Sequence, residues 1–137
     1  LENYLLKDSR TNMSRVVPEG TDGAKKAVLE YQVLGVEAGE ELALLRVKLH
    51  TGRHHQIRVQ LSEARMPILN DTKYGVTPDE ENIKDTLRAV RDEALALCSY
   101  RLVFSHPVTR KKLTFEVVPK GKSFALFSED FGKKDNI

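Results

Sequence analysis

Apolar and polar residues alternate most cleanly between Leu42 and His50. Leu42, Leu44, Arg46, Lys48 and His50 fall on one face of an extended segment, and Ala43, Leu45, Val47 and Leu49 on the other. A period of two with one strongly apolar face predicts a strand. Upstream, Ala27 to Val36 is rich in β-branched and aromatic residues and predicts its antiparallel partner, joined through the E-A-G-E connection. Gly52 then breaks the strand, where a residue without Cβ lets the chain turn sharply. The period changes beyond it. Ile57, Leu61 and Ala64 recur at helical spacing, predicting a helix over about His55 to Ala64, followed by an extended loop to Gly75.

The remaining elements are shorter. Tyr4 to Asn12 is mixed and leads into the sheet, and Pro18 to Gly23 is a turn-rich surface loop. Pro78 to Arg91 opens on proline and acids and places Ile83, Leu87 and Val90 on one side, the pattern of a short amphipathic helix. Ala94 to Phe104 and Lys112 to Val118 read as strands joined by a Ser105-His106-Pro107 turn, and Ser123 to Phe131 as a last short helix. Together these predict an α+β fold with a mixed, largely antiparallel sheet and two or three helices.

Composition narrows the class. With 137 residues, 40% hydrophobic and 31% charged, the chain has the make-up of one globular domain or part of one. It has no apolar run of bilayer length and no secretory start, so no membrane partner is expected. The single cysteine, Cys98, excludes an internal disulfide and suits a reducing cytoplasm; its place in a predicted core strand suggests an inert buried thiol. The first residue is Leu1 rather than Met, which leads to the expectation of a fragment cut from a longer chain.

Net charge is only +2, but it is unevenly distributed. From Thr51 to Gly75, Arg53, Arg58, Arg65 and Lys73 face only Glu63 and Asp71, with His54 and His55 added. From Asp79 to Glu93 acids outnumber bases. The basic section suits a phosphate backbone and the acidic one faces away from it. Arg53 and Arg58 beside a helix start, where backbone N–H groups attract anions, make a place for phosphate or carboxylate. His50 and His54 lie four apart, yet Gly52 interrupts any helix between them and no further ligand stands at suitable spacing, so no metal site is expected.

Thr51, Gly52, Arg53, His55, Gln56, Ile57, Arg58, Val59 and Leu61, followed by Pro67, Ile68, Asp71, Lys73, Tyr74 and Gly75, resemble the third signature block of the RluA-type pseudouridine synthases. That block is written T-G-R-T-H-Q-I-R-V-H-L, with a G-x-P-I-x-G-D-x-x-Y-G segment after it. Leu97 to Pro119 resembles the family's two closing strands around an F-x-H-P turn. The resemblance covers about half the chain. It implies a cofactor-free reaction in which the bond between uracil N1 and ribose breaks and the base rejoins through C5. It also implies structured RNA, ribosomal or transfer, as the partner. The family's catalytic aspartate stands in an H-R-L-D-x-x-T-S-G block, and the string H-R-L-D does not occur here. The chain is therefore expected to be the C-terminal portion of a catalytic domain, residues 1–137, and inactive alone.

The resemblance implies that Arg58 pairs with that aspartate. Arg53 and the N–H groups near Gly52 would hold a phosphate, with His55, Gln56 and Ile57 around the site and Lys73 and Tyr74 adding phosphate and stacking contacts. Two positions depart from the pattern: His54 replaces a threonine able to cap the helix, and Gln60 replaces a histidine. Alternatives stay open from the residues alone. Arg58 could pair with Glu30 or another local acid, Tyr74 could fill core, Asp71 could order its turn, and His106 could be a turn residue. A non-catalytic RNA-binding module, or a half-cleft whose exposed sheet edge drives self-association, are the other readings.

Overall fold

A computed structural model describes residues 1–37, 39, 42–75, 85–91, 94–134 and 137. Among the described residues, six strands and three short helices follow one another as β1 (Glu2–Asp8), β2 (Met13–Val17), β3 (Lys25–Val36), β4 (Ala43–Leu49), α1 (Gln56–Glu63), α2 (Asp85–Val90), β5 (Arg101–Ser105), β6 (Lys112–Glu116) and α3 (Lys122–Ala125). The first four strands form one sheet in the order β2-β1-β3-β4, and β5 and β6 form a separate two-stranded sheet. Each described ladder is antiparallel.

The region read as a lead-in is a hairpin. Tyr4 pairs with Val17 and Asp8 with Met13, and Asn12 turns the chain at φ 52, a left-handed conformation that asparagine tolerates. β3 and β4 lie close to their predicted limits, with an irregularity between Val33 and Gly35. The alternation along β4 is present, but burial divides it opposite to its hydrophobicity. Leu44 and Arg46 are buried, whereas Ala43 and Leu49 are exposed. The reason is what covers each face. Leu34, Leu44 and Phe127 form one core cluster with Phe124 and Phe131, so the C-terminal segment lies over the Leu44/Arg46 face. The Arg46 guanidinium lies there 5.9 Å from the Tyr100 ring, and its Nη2 donates to the Lys133 carbonyl at 3.0 Å.

α1 covers the other face, where Val59 packs with Leu5 and Ala27. It ends on a left-handed Arg65 (φ 60), with Arg65 N–H bonded to Ser62 O at 3.0 Å and Met66 N–H to Leu61 O at 2.9 Å. That paired arrangement satisfies two carbonyls of the last turn. Gln60 is 1% exposed and donates to Asn3 Oδ1 and the Ala27 carbonyl, so it fastens the helix to the sheet.

Of the helix expected over Pro78 to Arg91, residues 78–84 lie outside the described residues; Asp85–Val90 is helical, with Val90 buried. The apolar run from Ala94 becomes strand only at Arg101, and Cys98 is half-buried outside any strand. His106 is a turn residue, its Nδ1 accepting from the N–H groups of Val108 and Thr109. The β5–β6 hairpin leaves Leu102, Phe104 and Phe115 exposed. Among the described residues no helix is long and apolar enough to cross a membrane.

Candidate functional site

The turn from β4 into α1 is closed by its own polar side chains. Thr51 Oγ1 accepts from Val28 N–H at 2.8 Å and donates to Gln56 Oε1 at 2.8 Å. Gln56 Oε1 also accepts from Arg53 N–H at 2.9 Å, and its Nε2 donates to the Val28 carbonyl at 3.1 Å. Gln56 is buried at 4% exposure, so its amide holds the turn on β3 and is not presented at the surface. The Arg53 N–H expected to meet an anion is taken by Gln56. The Arg53 side chain is exposed, its Nε donating to Lys26 O at 2.8 Å. Gly52 has no left-handed φ, and a Cβ there would meet nothing within 4 Å, so the turn itself does not require glycine.

Arg58 projects from α1 onto Asp71. Its Nε donates to Oδ2 at 2.8 Å and its Nη2 to Oδ1 at 2.7 Å, a bidentate pair whose side chains are 16% and 1% exposed. Asp71 Oδ1 accepts in addition from the N–H groups of Lys73 and Tyr74, both at 2.9 Å. Burial by itself would raise this carboxyl's pKa. The bonds from Arg58 and from the two N–H groups outweigh it and lower the value to about 2. Asp71 therefore orders its turn, as one reading allowed, and is also the local acid that Arg58 finds. Glu30 is engaged elsewhere, with Lys48 and His50. Gly75 closes the turn, its N–H bonded to Asp71 O at 2.9 Å; a Cβ there would stand 2.3 Å from that same oxygen.

Tyr74 links the pair to the sheet. Its ring lies 5.1 Å from the Arg58 guanidinium carbon and packs against the Leu5, Ala27 and Val59 cluster. Its hydroxyl accepts from Ser14 N–H at 2.8 Å and shares a hydrogen bond of 2.9 Å with His55 Nδ1. Of the alternatives for Tyr74, packing in the core is the one the structure describes. His54 takes Ser14 Oγ at 2.9 Å on Nδ1 and Asn12 Oδ1 at 3.0 Å on Nε2. Asn12 Oδ1 is an acceptor, so Nε2 donates to it, and Nδ1 shares a hydrogen bond with the serine hydroxyl. The pKa values of both histidines are lowered, first by burial and then by neighbouring positive charge. His54 thus replaces a capping hydroxyl with a tether to the β1–β2 hairpin. Lys73 is exposed with Nζ 3.2 Å from Asn12 O, and Ile57 is half-buried on the helix.

Ser14 and Asn12 carry no motif, and 40 and 42 residues separate them from His54, so only the sheet order brings them in. Among the described residues, no three His, Cys, Asp or Glu side chains converge as metal ligands.

The sequence model of the RNA pseudouridylate synthase family matches residues 2–63, the segment from β1 through α1 that contains the Thr51–Gln56 turn and Arg58. The chain belongs to the RNA pseudouridine synthase family. It is 38% identical over 93 residues to an uncharacterised RNA pseudouridine synthase of Aquifex aeolicus, covering 68% of this chain and 29% of that protein. It is 31% identical over 140 residues to the ribosomal large subunit pseudouridine synthase D of Vibrio parahaemolyticus (94% and 41%). The protein of that name from Vibrio cholerae is 39% identical over 109 residues (77% and 32%). The chain thus spans about a third of the length of these relatives. Asp71 and Tyr74 lie beyond the segment that the family model matches.

Proposed function

We propose that this chain is the C-terminal portion of a catalytic domain that isomerises uridine to pseudouridine in structured RNA, with ribosomal RNA favoured by the names of its relatives. The observation that carries the reading is the family match over the β1–α1 segment, which includes Arg53 and Arg58. The reacting carboxylate, an aspartate in an H-R-L-D block, would come from sequence outside these residues. Arg58 suits a role beside it. Asp71 holds the Nε/Nη2 edge of the guanidinium and fixes its plane, and among the described residues no bond is made to Nη1. A second carboxylate meeting the Nη1 side would be kept ionised by the charge beside it. In this reading Asp71 positions Arg58, Tyr74 braces both, and Arg53 and Lys73 supply charge for the RNA backbone.

Tritium release from RNA labelled at uridine C5 tests this, because C5 loses its hydrogen when the new glycosidic bond is complete. The chain alone should release none, and a longer polypeptide that joins it to an H-R-L-D block should release tritium, with Arg58→Met in that polypeptide abolishing the signal. Release by the chain alone would overturn the assignment of the reacting acid. RNA binding by the longer polypeptide without any release would instead mark a non-catalytic binding module.

A further inference from the structure

Lys7, Lys25 and Arg53 stand around a recess of about 310 Å³ that is also lined by Ser14, Gly52 and His54. We propose that this recess is a phosphodiester subsite for an RNA strand, with Lys7 and Lys25 as its principal cations. The proposal rests on the RNA-binding reading above and adds two residues that no motif contains.

Strand register places the two lysines. Leu5 pairs with Val16 and with Lys25, Lys7 with Ser14, and Asn3 with Ala27. Paired and alternate residues share a face, so Lys7 and Lys25 lie on the face that buries Leu5 and Ala27 under α1. The apolar floor therefore turns cationic where the helix start ends. Lysines are common on edge strands, where they block pairing with other chains. Here Lys7 lies just past the end of the β1–β3 ladder and Lys25 at its last pair, and both residues line the recess.

The charges are also uncommitted. Among the described residues neither lysine forms an ion pair, and no acid lines the recess. Glu2 bonds Lys26, whose register puts it on the opposite face, and Asp8 accepts from the Arg10 N–H. Burial first, and then Lys7 and other neighbouring cations, lower the pKa of His54. Gly52 supplies the remaining feature. Its missing Cβ faces open space at the recess, leaving room for a backbone to approach closely. Three exposed cations around an acid-free hollow match a phosphodiester, which carries charge but no sequence information.

The test is fluorescence anisotropy of a labelled single-stranded oligoribonucleotide with the 137-residue chain, read as log Kd against log salt concentration. Each phosphate contact on a single strand contributes about 0.7 to the slope, so Lys7→Gln/Lys25→Gln should lower its magnitude by about 1.4. Lys111→Gln/Lys112→Gln, on the distant hairpin, should leave it unchanged. Gly52→Ala should weaken binding with the slope retained, and thermal melts confirm that each variant folds. An unchanged slope in the Lys7/Lys25 variant, with binding intact, would overturn the subsite and leave the RNA reading standing. Displacement of the oligonucleotide by inorganic phosphate at matched ionic strength would overturn it in favour of a free-anion site. Absence of oligonucleotide binding by the unaltered chain would overturn both.

Discussion

Replacing Asp71 with asparagine isolates the charge of the Arg58 partner while keeping its shape. The carboxyl titrates at about 2 instead of 3.8. A depressed folded-state value stabilises the native form above the unfolded value, and that contribution is lost as pH falls through about 2. At about 1.4 kcal/mol per unit, the shift is worth roughly 2 kcal/mol at neutral pH. The substitution adds a second cost, because the hydrogens of the introduced amide would face a guanidinium that is only 16% exposed. Breaking a buried pair from one side costs about 3–5 kcal/mol, and the residual exposure of Arg58 places the expectation near the lower end, about 3 kcal/mol. Urea denaturation followed by circular dichroism measures this for the wild type, Asp71→Asn, Arg58→Met and the double variant. The double variant should lose less than the sum of the singles by at least about 1 kcal/mol. The gap between wild type and Asp71→Asn should narrow as pH falls from 4 toward 2. A loss under about 0.5 kcal/mol, or strict additivity, would refute the central place given to this pair.

Gly75→Ala should destabilise the chain by roughly 2 kcal/mol or more, since its Cβ would fall 2.3 Å from a backbone oxygen that cannot move aside without opening the Asp71 turn; urea midpoints measure it. His54 and His55 both have folded-state pKa values below 6.5, so their contribution is complete above that value and is lost as pH falls through the lower folded-state values. His54→Gln, which keeps a donor and an acceptor, should flatten the decline in thermal midpoint below pH 6.5; an unchanged slope would show that His54 plays no part.

Where sequence pattern and structure agree, one physical cause sets both. α1 falls within a residue of its predicted limits because an apolar side chain of the helix, Val59, meets a sheet face already apolar at Leu5 and Ala27. The β1–β2 hairpin is illegible by alternation because both faces of β1 are partly covered, its burial running from exposed through intermediate to buried and back. β4 misleads in a different way. Its more hydrophobic face is the less covered one, and what covers the other, Phe127 and its neighbours, lies some 80 residues away. Residues Ala94 to Tyr100 read as strand, yet a strand needs a partner, and β6 pairs only from Arg101 onward. In the candidate site, the motif contains Gln56, Arg58 and Asp71 but does not say which side chains pair. Gln56 looks like a surface contact until Val28 is seen beside it, and the Arg58–Asp71 spacing of 13 residues follows no helical or strand period.

The Thr51–Gln56 clamp couples two kinds of phase. Val28 N–H and C=O are both held by side chains of the turn, and the same carbonyl also takes the His50 N–H at 3.1 Å. A one-residue slip of β4 along β3 would exchange its faces, and it would also carry Thr51 and Gln56 away from Val28. Each lost bond is worth about 1 kcal/mol, more where the stranded group is buried, as Gln56 is. Because Gln56 is also the first residue of α1, the bond that fixes strand register fixes the rotation of the helix. A single-residue insertion between Gly52 and Gln56 would turn α1 by about 100° and swing Arg58 away from Asp71. The length of this turn is therefore a constraint as strict as the identity of its residues.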